Sequence, residues 1–125
     1  MEMKFYKCKH CGKIIAIVQE TAVPTICCGE PMTLLVAGSV DASVEKHVPV
    51  VSRNGNTVTV TVGSAEHPMT AEHYIQWISL QTKHGNQRKA LKPTDKPTVT
   101  FALLDGDEIE AVYAYCNLHG LWKAK

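Results

Sequence analysis

The stretch HVPVVSRNGNTVTVTVG, residues 47–63, decides the fold class of the larger part of this chain. Threonine and valine alternate strictly over residues 57–62, and a period of two residues is typical of a strand with one buried face. The run VPVV lies before it, and Asn54-Gly55 between the two runs is a strong hairpin signal. The stretch therefore predicts an antiparallel β-hairpin whose first strand begins at His47.

Other segments on both sides of the hairpin also have the character of short strands. They are rich in β-branched and aromatic residues and are separated by glycine, proline or asparagine. These segments are LLVAG (34–38), HYIQWISLQT (73–82), RKALK (88–92), TVTFALL (98–104) and EIEAVYAYC (108–116). Together with the hairpin they make about seven strands. We therefore predict a mainly β protein in which residues 37–125 form a seven-stranded, immunoglobulin-like antiparallel β-sandwich.

Residues 1–36 form a different part, whose main feature is its cysteines. Cys8-x2-Cys11 is followed by Cys27-Cys28 in a segment too short to bury a core of its own. Four thiolates favour zinc or iron in tetrahedral geometry, although two disulfides or redox-active thiols are alternatives. Because adjacent cysteines must diverge to reach one ion, we expect a distorted site. This part is therefore predicted to be a small four-cysteine metal-knuckle module.

Composition and charge argue against several classes of protein. The chain has 125 residues, 45% of them apolar and 20% charged, which is a globular composition. A formal net charge of +1 disfavours a general nucleic-acid binder, and no apolar run approaches the roughly 20 residues of a membrane span. The stretch MEMKFYKCKHCGK is polar and unlike a signal peptide. We expect a cytoplasmic protein, and in that reducing compartment clustered cysteines more often bind metal.

The predicted sandwich also carries a set of possible metal ligands. A lone histidine is usually solvated or held by one hydrogen bond, but several occur here together with a cysteine far from the other four. Imidazole and thiolate are both good ligands for first-row transition metals. One end of a sandwich can gather strand ends and loops that are distant in sequence. The candidate ligands are His47, His67, His73, Cys116 and His119.

Three motifs give these residues a family resemblance. EKHVPV (45–50), HPM (67–69) with HYIQWI (73–78), and CNLHGLWK (116–123) occur in that order, and the sandwich part closely resembles superoxide reductases. The cysteine part resembles the desulforedoxin-like iron module attached to some of them, and the two together resemble the desulfoferrodoxin family. The resemblance implies a desulforedoxin-like four-cysteine iron module over 1–36. It implies a superoxide reductase (neelaredoxin-like) catalytic domain over 37–125.

The resemblance also implies an activity and its cofactors. Such an enzyme reduces superoxide by one electron to hydrogen peroxide, and so detoxifies it, at a mononuclear non-haem iron with four histidine ligands and one axial cysteine. Those ligands are His47, His67, His73, His119 and Cys116, whereas His10 and His84 match no ligand and are expected at the surface. Two iron ions per chain follow, with zinc as a possible substitute in the four-cysteine site. A rubredoxin-like electron donor and a homodimer are also implied.

Two charged residues and three aromatic residues receive roles as well. The resemblance makes Lys46 an electrostatic guide and a donor to the bound oxygen species, and Glu45 the group that fills the sixth position of the oxidised iron. The alternative is a solvated charge pair on a strand edge. Trp77 and Tyr113 are predicted in the sandwich core. Trp122, just after His119, is expected to shield the edge of the iron.

Two other functions compete with this interpretation. A cupredoxin-like electron-transfer protein also uses a sandwich with an upstream histidine and a C-terminal Cys–His pair. It needs two histidines, one cysteine and usually a methionine after the last histidine, and no methionine follows His119. A non-catalytic metal-binding module, with zinc on the cysteines and incidental histidines, is the second alternative. Metal content separates the three.

Overall fold

The chain forms two compact units, Met1–Val36 and Ala37–Lys125. The structure is a computed structural model, and it describes residues 2–124. Residues 1 and 125, which the predicted domain ranges include, lie outside the described residues. No helix in the described range has the length and apolar character needed to cross a membrane.

The first unit is built from five short strands. They are β1 (Lys4–Lys7), β2 (Ile14–Ile17), β3 (Ile26–Cys27), β4 (Glu30–Pro31) and β5 (Thr33–Leu34). Strands β2-β1-β5 form one antiparallel sheet, and β3 pairs with β4 as a minimal hairpin. Among its described residues this unit buries only three apolar side chains, those of Phe5, Cys8 and Met32. Such a small core cannot stabilise the unit by itself.

The second unit is an antiparallel sandwich, as predicted. Its elements are α1 (Val44–His47), β6 (Pro49–Asn54), β7 (Thr57–Val62), β8 (Ile75–Thr82), β9 (Asn86–Ala90), β10 (Thr98–Ala102), β11 (Ile109–Cys116) and β12 (Gly120–Lys123). One sheet has the strand order β10-β7-β6, and the other has the order β12-β11-β8-β9. These two sheets supply the seven strands of the sandwich.

The hairpin that predicts the fold is present, with its turn one residue later than expected. Asn54 pairs with Thr57, so the two-residue turn is Gly55-Asn56 rather than Asn54-Gly55. Gly55 has φ +61°, and a positive φ at the first central position is the signature of a type II′ turn. In β7 every valine is buried while every threonine is exposed or half-buried, which confirms the predicted alternation.

One predicted strand and one strand start are wrong. LLVAG does not enter the sandwich: Leu34 pairs with Tyr6 in the first unit. The seventh strand is instead β12, which pairs with β11 beside Cys116. His47 does not open a strand but ends the one-turn helix α1, which the backbone hydrogen bond from Val48 N–H to the Val44 carbonyl closes at 3.0 Å.

The core lies between the two sheets. Its buried residues are Val58, Val60, Val62, Ile75, Ile78, Leu80, Val99, Phe101, Leu103, Val112, Ala114 and Cys116. Because side chains alternate along a strand, Tyr113 and Tyr115 face away from this cluster. Trp77 is half-buried and stacks on Tyr115, with ring centroids 5.5 Å apart and planes 8° apart. The placement of Trp77 in the core was therefore wrong, and Tyr113 is buried on the opposite face of the sheet.

The strand register brings the candidate ligands to one end of the sandwich. In one sheet Pro49 pairs with Val62, so His47 comes just before a strand start and His67 follows a strand end at that edge. In the other sheet Cys116 pairs with both Ile75 and Gly120. His73 and His119 flank those positions in sequence. Cys116 is also a member of the core, so its sulfur reaches this end from inside the sandwich.

Candidate metal centres

The first unit brings its four cysteines together. The sulfurs of Cys8, Cys11, Cys27 and Cys28 all lie within 4.8 Å of one another, and none of the five cysteines of the chain forms a disulfide. The Cys11 backbone N–H donates to the Cys8 sulfur over 3.5 Å, and the Gly12 N–H donates to the Cys8 carbonyl over 2.9 Å. This is the knuckle geometry that the Cys-x-x-Cys-Gly sequence requires.

The adjacent pair Cys27-Cys28 converges through an unusual backbone. Cys28 has φ +52° and, within the described range, is the one residue other than glycine with positive φ. Few non-glycine residues adopt this left-handed conformation, which costs about 1–3 kcal/mol when held in place. The left-handed turn directs both neighbouring thiols towards the same point. It accounts for the distortion expected from two consecutive cysteines.

The protonation of these thiols indicates that they need a cation. The N–H of Cys11 stabilises the thiolate of Cys8 and lowers its pKa to about 6. The Cys11 thiol, as a hydrogen-bond partner, raises the pKa of Cys27 to about 12. Without a metal the cluster therefore holds one ready thiolate and keeps others protonated. Four thiolates can coexist at this distance only around a cation, and iron or zinc fits four sulfur ligands.

The second cluster contains four histidine rings arranged as the corners of a square. Ring centroids of successive histidines in the order 47, 67, 73 and 119 lie 4.7, 4.7 and 5.1 Å apart, and His119 closes the square 4.9 Å from His47. The diagonal pair His47 and His73 is farther apart, at 6.4 Å. Neighbouring planes are close to perpendicular, between 77° and 90°. The rings thus surround a common centre.

Backbone carbonyls fix which nitrogens face that centre. The Nδ1 of His47 donates to the Ser43 carbonyl and the Nδ1 of His67 donates to the Pro68 carbonyl, both over 2.7 Å. A carbonyl can only accept, so in the neutral rings Nε2 carries a lone pair and no proton. The Nε2 atoms of His47 and His67 nevertheless face each other at 3.2 Å. Two facing lone pairs repel, and a metal ion between them removes the conflict.

Three further atoms near these rings could serve as metal donors. The Nε2 of His73 is buried without a hydrogen-bond partner, which is costly unless a ligand satisfies it. The Nδ1 of His119 lies 3.1 Å from the Nε2 of His47 and 3.9 Å from the Cys116 sulfur. That sulfur is fully buried and lies within 4.8 Å of the ligating atoms of His47, His67 and His73. Because Cys116 belongs to the core cluster, its side chain approaches the histidines from the core.

Burial keeps these ligands in defined protonation states. Removal from water lowers the pKa of His67 to about 4 and also lowers the pKa values of His47 and His73. The same burial raises the pKa of the Cys116 thiol. Neutral imidazoles are the form that binds metal, whereas the thiol must lose its proton when the metal enters.

We expect the metal-free protein to lose stability in mild acid. Histidine binds protons near pH 6.5 in the unfolded chain, but the folded state resists this until about pH 4 at His67. The unfolded state therefore binds more protons between these values, and the free energy of unfolding falls as pH drops from 6.5 towards 4. His67 alone accounts for about 3 kcal/mol of that fall.

Denaturant unfolding followed by tryptophan fluorescence measures this effect. Both tryptophans, Trp77 and Trp122, belong to the second unit, so the signal reports on that unit. His67→Asn removes the titrating ring and should flatten the pH dependence in chelator-treated samples. Equal slopes for wild type and His67→Asn would contradict the proposed burial effect.

The structure places Glu45 and Lys46 at the rim, exposed on the turn α1. The pKa of Glu45 lies below its usual range because the carboxylate accepts a hydrogen bond from its own backbone N–H. The Glu45 carboxylate is not among the ligand atoms within 4.8 Å of one another. The positive charge of Lys46 contributes to lowering the pKa values of His47 and His73. Its field therefore reaches the histidine square.

Sequence reasoning missed Gly63, which sets the position of this turn. A Cβ atom at residue 63 would lie 2.6 Å from the Glu45 carbonyl oxygen and 2.9 Å from the Lys46 carbonyl carbon. The next residues hold the turn, because Ala65 N–H donates to the Glu45 carbonyl over 2.8 Å. The sequence offered one signal, a glycine directly after a regular strand, which indicates a close backbone approach.

The remaining predicted residues lie as follows. The Trp122 ring stacks on His47 at 4.9 Å, and its Nε1 donates to the His119 carbonyl over 3.0 Å. Trp122 therefore packs against one corner of the square, and its shielding of a bound metal stays a prediction. His10 is exposed and pairs with Glu30 at 3.1 Å, and His84 is exposed. A second missed residue, Asn117, bridges two ligand segments.

Comparison with known proteins agrees with this two-part organisation. A family model described as desulfoferrodoxin matches residues 39–125, and one described as desulfoferrodoxin, N-terminal domain, matches residues 1–35. A desulfoferrodoxin homolog from Archaeoglobus fulgidus is 45% identical over 98% of this chain and 96% of its own length. A desulfoferrodoxin from Nitratidesulfovibrio vulgaris is 44% identical over 99% of this chain and 97% of its own length.

Solved structures give the same result. The superoxide reductase from Treponema pallidum is similar over 100% of both chains, with a TM-score of 0.85 and 40% identity. The one-iron superoxide reductase from Giardia intestinalis is similar over 63% of this chain and 94% of its own, with a TM-score of 0.54 and 36% identity. Because both family models match and full-length relatives are more than two-fifths identical, this chain belongs to the desulfoferrodoxin family.

Proposed function

We propose that this chain is a superoxide reductase that converts superoxide to hydrogen peroxide, taking up one electron and two protons per superoxide. The proposed iron ligands are His47, His67, His73, His119 and Cys116. Family membership and the activity named for the Treponema pallidum relative support the reaction. The observation that carries the proposal is the square of imidazoles whose nitrogens face one another, with the buried Cys116 sulfur within 4.8 Å of the ligating atoms of three of them.

The donor set suits a catalytic iron better than a structural ion. Iron, when bound, supplies the electron and a free coordination position for the anion. The four histidines and Cys116 would hold the metal, and five protein ligands would leave one position for a substrate. The thiolate of Cys116 would donate electron density to the metal, as in cysteine-ligated haem proteins. Neutral imidazoles leave the net charge of the site positive, which suits an anionic substrate.

The residues at the rim would handle the substrate and its protons. Lys46 lies on the turn that ends with His47, and its ammonium group attracts the anion and donates a hydrogen bond to it. Glu45, on the same turn, would fill the sixth position in the oxidised resting state. The site lies at a sandwich end next to exposed residues, so solvent can deliver the two protons.

Lys46→Ala should slow superoxide capture about tenfold and flatten its dependence on ionic strength. The reason is that a lysine beside a cationic site accelerates the approach of an anion through a long-range field that salt screens. Pulse radiolysis or stopped-flow measurement of the second-order rate at several salt concentrations gives both quantities.

Lys83→Ala is the matched control for this experiment. Lys83 is exposed and follows the end of β8, whereas His73 precedes its start, so about 26 Å of strand separates them. Lys83→Ala therefore removes the same charge far from the histidines. If both variants lower the rate equally, net charge governs capture and Lys46 has no special role.

The enzyme needs an external reductant because it consumes one electron per turnover. We propose a rubredoxin-like donor, an iron-loaded four-cysteine module over residues 1–36 and a catalytic domain over 37–125. Zinc can replace iron at the four cysteines without changing the ligand set. We also propose a homodimer. We propose a cytoplasmic location because the cysteines must stay reduced to bind metal.

Metal analysis combined with a peroxide-forming superoxide assay tests the proposal. Two irons per chain and one peroxide formed per electron supplied are expected. One copper and electron transfer without peroxide would instead indicate the cupredoxin-like alternative. Zinc alone, with no reduction of superoxide by iron-reconstituted protein, would indicate the non-catalytic module.

A further inference from the structure

Asn117 lies between two of the proposed ligands, Cys116 and His119, and its side chain reaches a different segment. The Oδ1 atom accepts a hydrogen bond from the Tyr74 N–H, and Nδ2 donates to the Glu72 carbonyl, both over 2.9 Å. The Asn117 backbone N–H also donates to the Tyr74 carbonyl over 3.3 Å. One residue thus makes three hydrogen bonds to the segment 72–74.

These hydrogen bonds are made to the two residues that flank His73 in the sequence. Glu72 precedes the histidine and Tyr74 follows it, so the carboxamide holds the two peptide groups that flank its Cα atom. A carboxamide suits this position because it offers one acceptor and two donors in a fixed plane. Aspartate at residue 117 could accept from the Tyr74 N–H but could not donate to the Glu72 carbonyl.

The backbone hydrogen bonds that His73 itself makes are local. Its backbone N–H and carbonyl pair with Thr70 at 3.3 and 2.9 Å, which closes the turn 70–73. The Thr70 hydroxyl adds hydrogen bonds to the same two groups. None of these four contacts links the turn to β11, where the sulfur ligand lies. The Asn117 side chain, directly after β11, bonds to Glu72 and Tyr74 on either side of His73, next to the pairing of Cys116 with Ile75.

We propose that Asn117 is a positioning residue that holds His73 at its corner of the square relative to Cys116 and His119. The proposal rests on the proposed function, because it assigns a role to a residue around that metal site. The Nε2 of His73 is buried without a hydrogen-bond partner, so no hydrogen bond at that atom adds to the ones that hold the backbone. Groups that orient metal ligands in this way commonly change metal affinity by about 10–100-fold.

Asn117→Ala should lower iron affinity at the histidine–cysteine site by about tenfold or more in competition with a chelator. The four-cysteine site lies in the other unit and should keep its metal, which provides an internal reference. In the metal-free protein the Tyr74 amide should exchange with solvent faster, because its acceptor is gone. Asn117→Asp keeps that acceptor and removes the donor to Glu72, so it should protect the Tyr74 amide while still weakening iron binding.

Asn56→Ala is the matched control. Its carboxamide also bridges two loops, donating to Asp105 at 2.5 Å, but at the hairpin turn of β6 and β7. It should leave iron affinity and Tyr74 exchange unchanged. Equal iron affinity for Asn117→Ala and Asn56→Ala would overturn the proposal, as would unchanged Tyr74 exchange in Asn117→Ala. A wild-type protein without iron at this cluster would contradict the proposed function instead, and the exchange measurement would then decide the role of Asn117.

Discussion

Replacing Cys116 by serine is expected to slow superoxide reduction by at least about a hundredfold, since even groups outside the ligand shell cost 10–100-fold. A buried thiol releases its proton when it binds a metal ion, whereas a serine hydroxyl stays protonated and donates little electron density. Cys116 is fully buried, and burial raises the pKa of its thiol, so its ionisation depends on the metal. The substitution therefore removes the one sulfur donor of the site while changing little in volume.

Ala114→Ser separates this effect from the cost of burying a hydroxyl group. Ala114 lies two residues earlier on β11, faces the same core and is also fully buried. Both variants carry a new buried hydroxyl, which costs about 1–3 kcal/mol if unpaired. Steady-state superoxide reduction and the visible spectrum of the oxidised protein should change in Cys116→Ser alone. Similar losses in both variants would show that the sulfur is not a ligand.

The double substitution Cys8→Ser and Cys11→Ser is expected to unfold the first unit and leave the second folded. Structural zinc contributes about 10–16 kcal/mol to the folding of zinc-finger peptides, and units of this size rarely fold without such help. Phe5, Cys8 and Met32 are the buried apolar residues of the described part of this unit, while Val18 and Val23 are largely exposed. Without the metal, little apolar burial remains to oppose the conformational entropy of the chain.

Amide hydrogen exchange, read separately for the two units, measures this outcome. Protection should disappear in β1 and β2 and persist in β8 and β11. Lys13→Ala is the control, because it changes an exposed residue next to the same knuckle and keeps all sulfurs. Retained protection of β1 in the double variant would mean that the unit folds without its metal.

The sequence predicts the sandwich because its longer strands alternate in hydrophobicity. The prediction fails for short segments that show no clear alternation. The run TVTVTV specifies its buried face residue by residue, and the structure agrees. LLVAG and GLWK each offer four or five residues without clear alternation, so neither pattern identifies the seventh strand. Trp77 illustrates another limit: an aromatic residue on a strand fits either face, and here its partner is Tyr115 on the face away from the core.

The candidate site was predictable as a set of residues and not as an arrangement. Histidine and cysteine are chemically distinctive, so the candidate ligands could be named from motifs. Gly63 and Asn117 act through backbone groups of segments that are distant in sequence, and nothing in their local pattern indicates which groups those are. Likewise, the tautomers of His47 and His67 depend on hydrogen bonds to the carbonyls of Ser43 and Pro68. Those partners follow from the folded structure and not from the sequence pattern.

The contact at Gly63 also limits how this protein can diverge. Because any side chain there would meet the carbonyl groups of Glu45 and Lys46 at less than 3.0 Å, no single-residue replacement can be accommodated without moving the turn. A lineage could exchange the neighbouring Ser64 or Ala65 one step at a time, but leaving glycine at residue 63 requires a simultaneous second change in the turn. Changes in how a substrate approaches the site are therefore expected to arise at other residues before residue 63 changes.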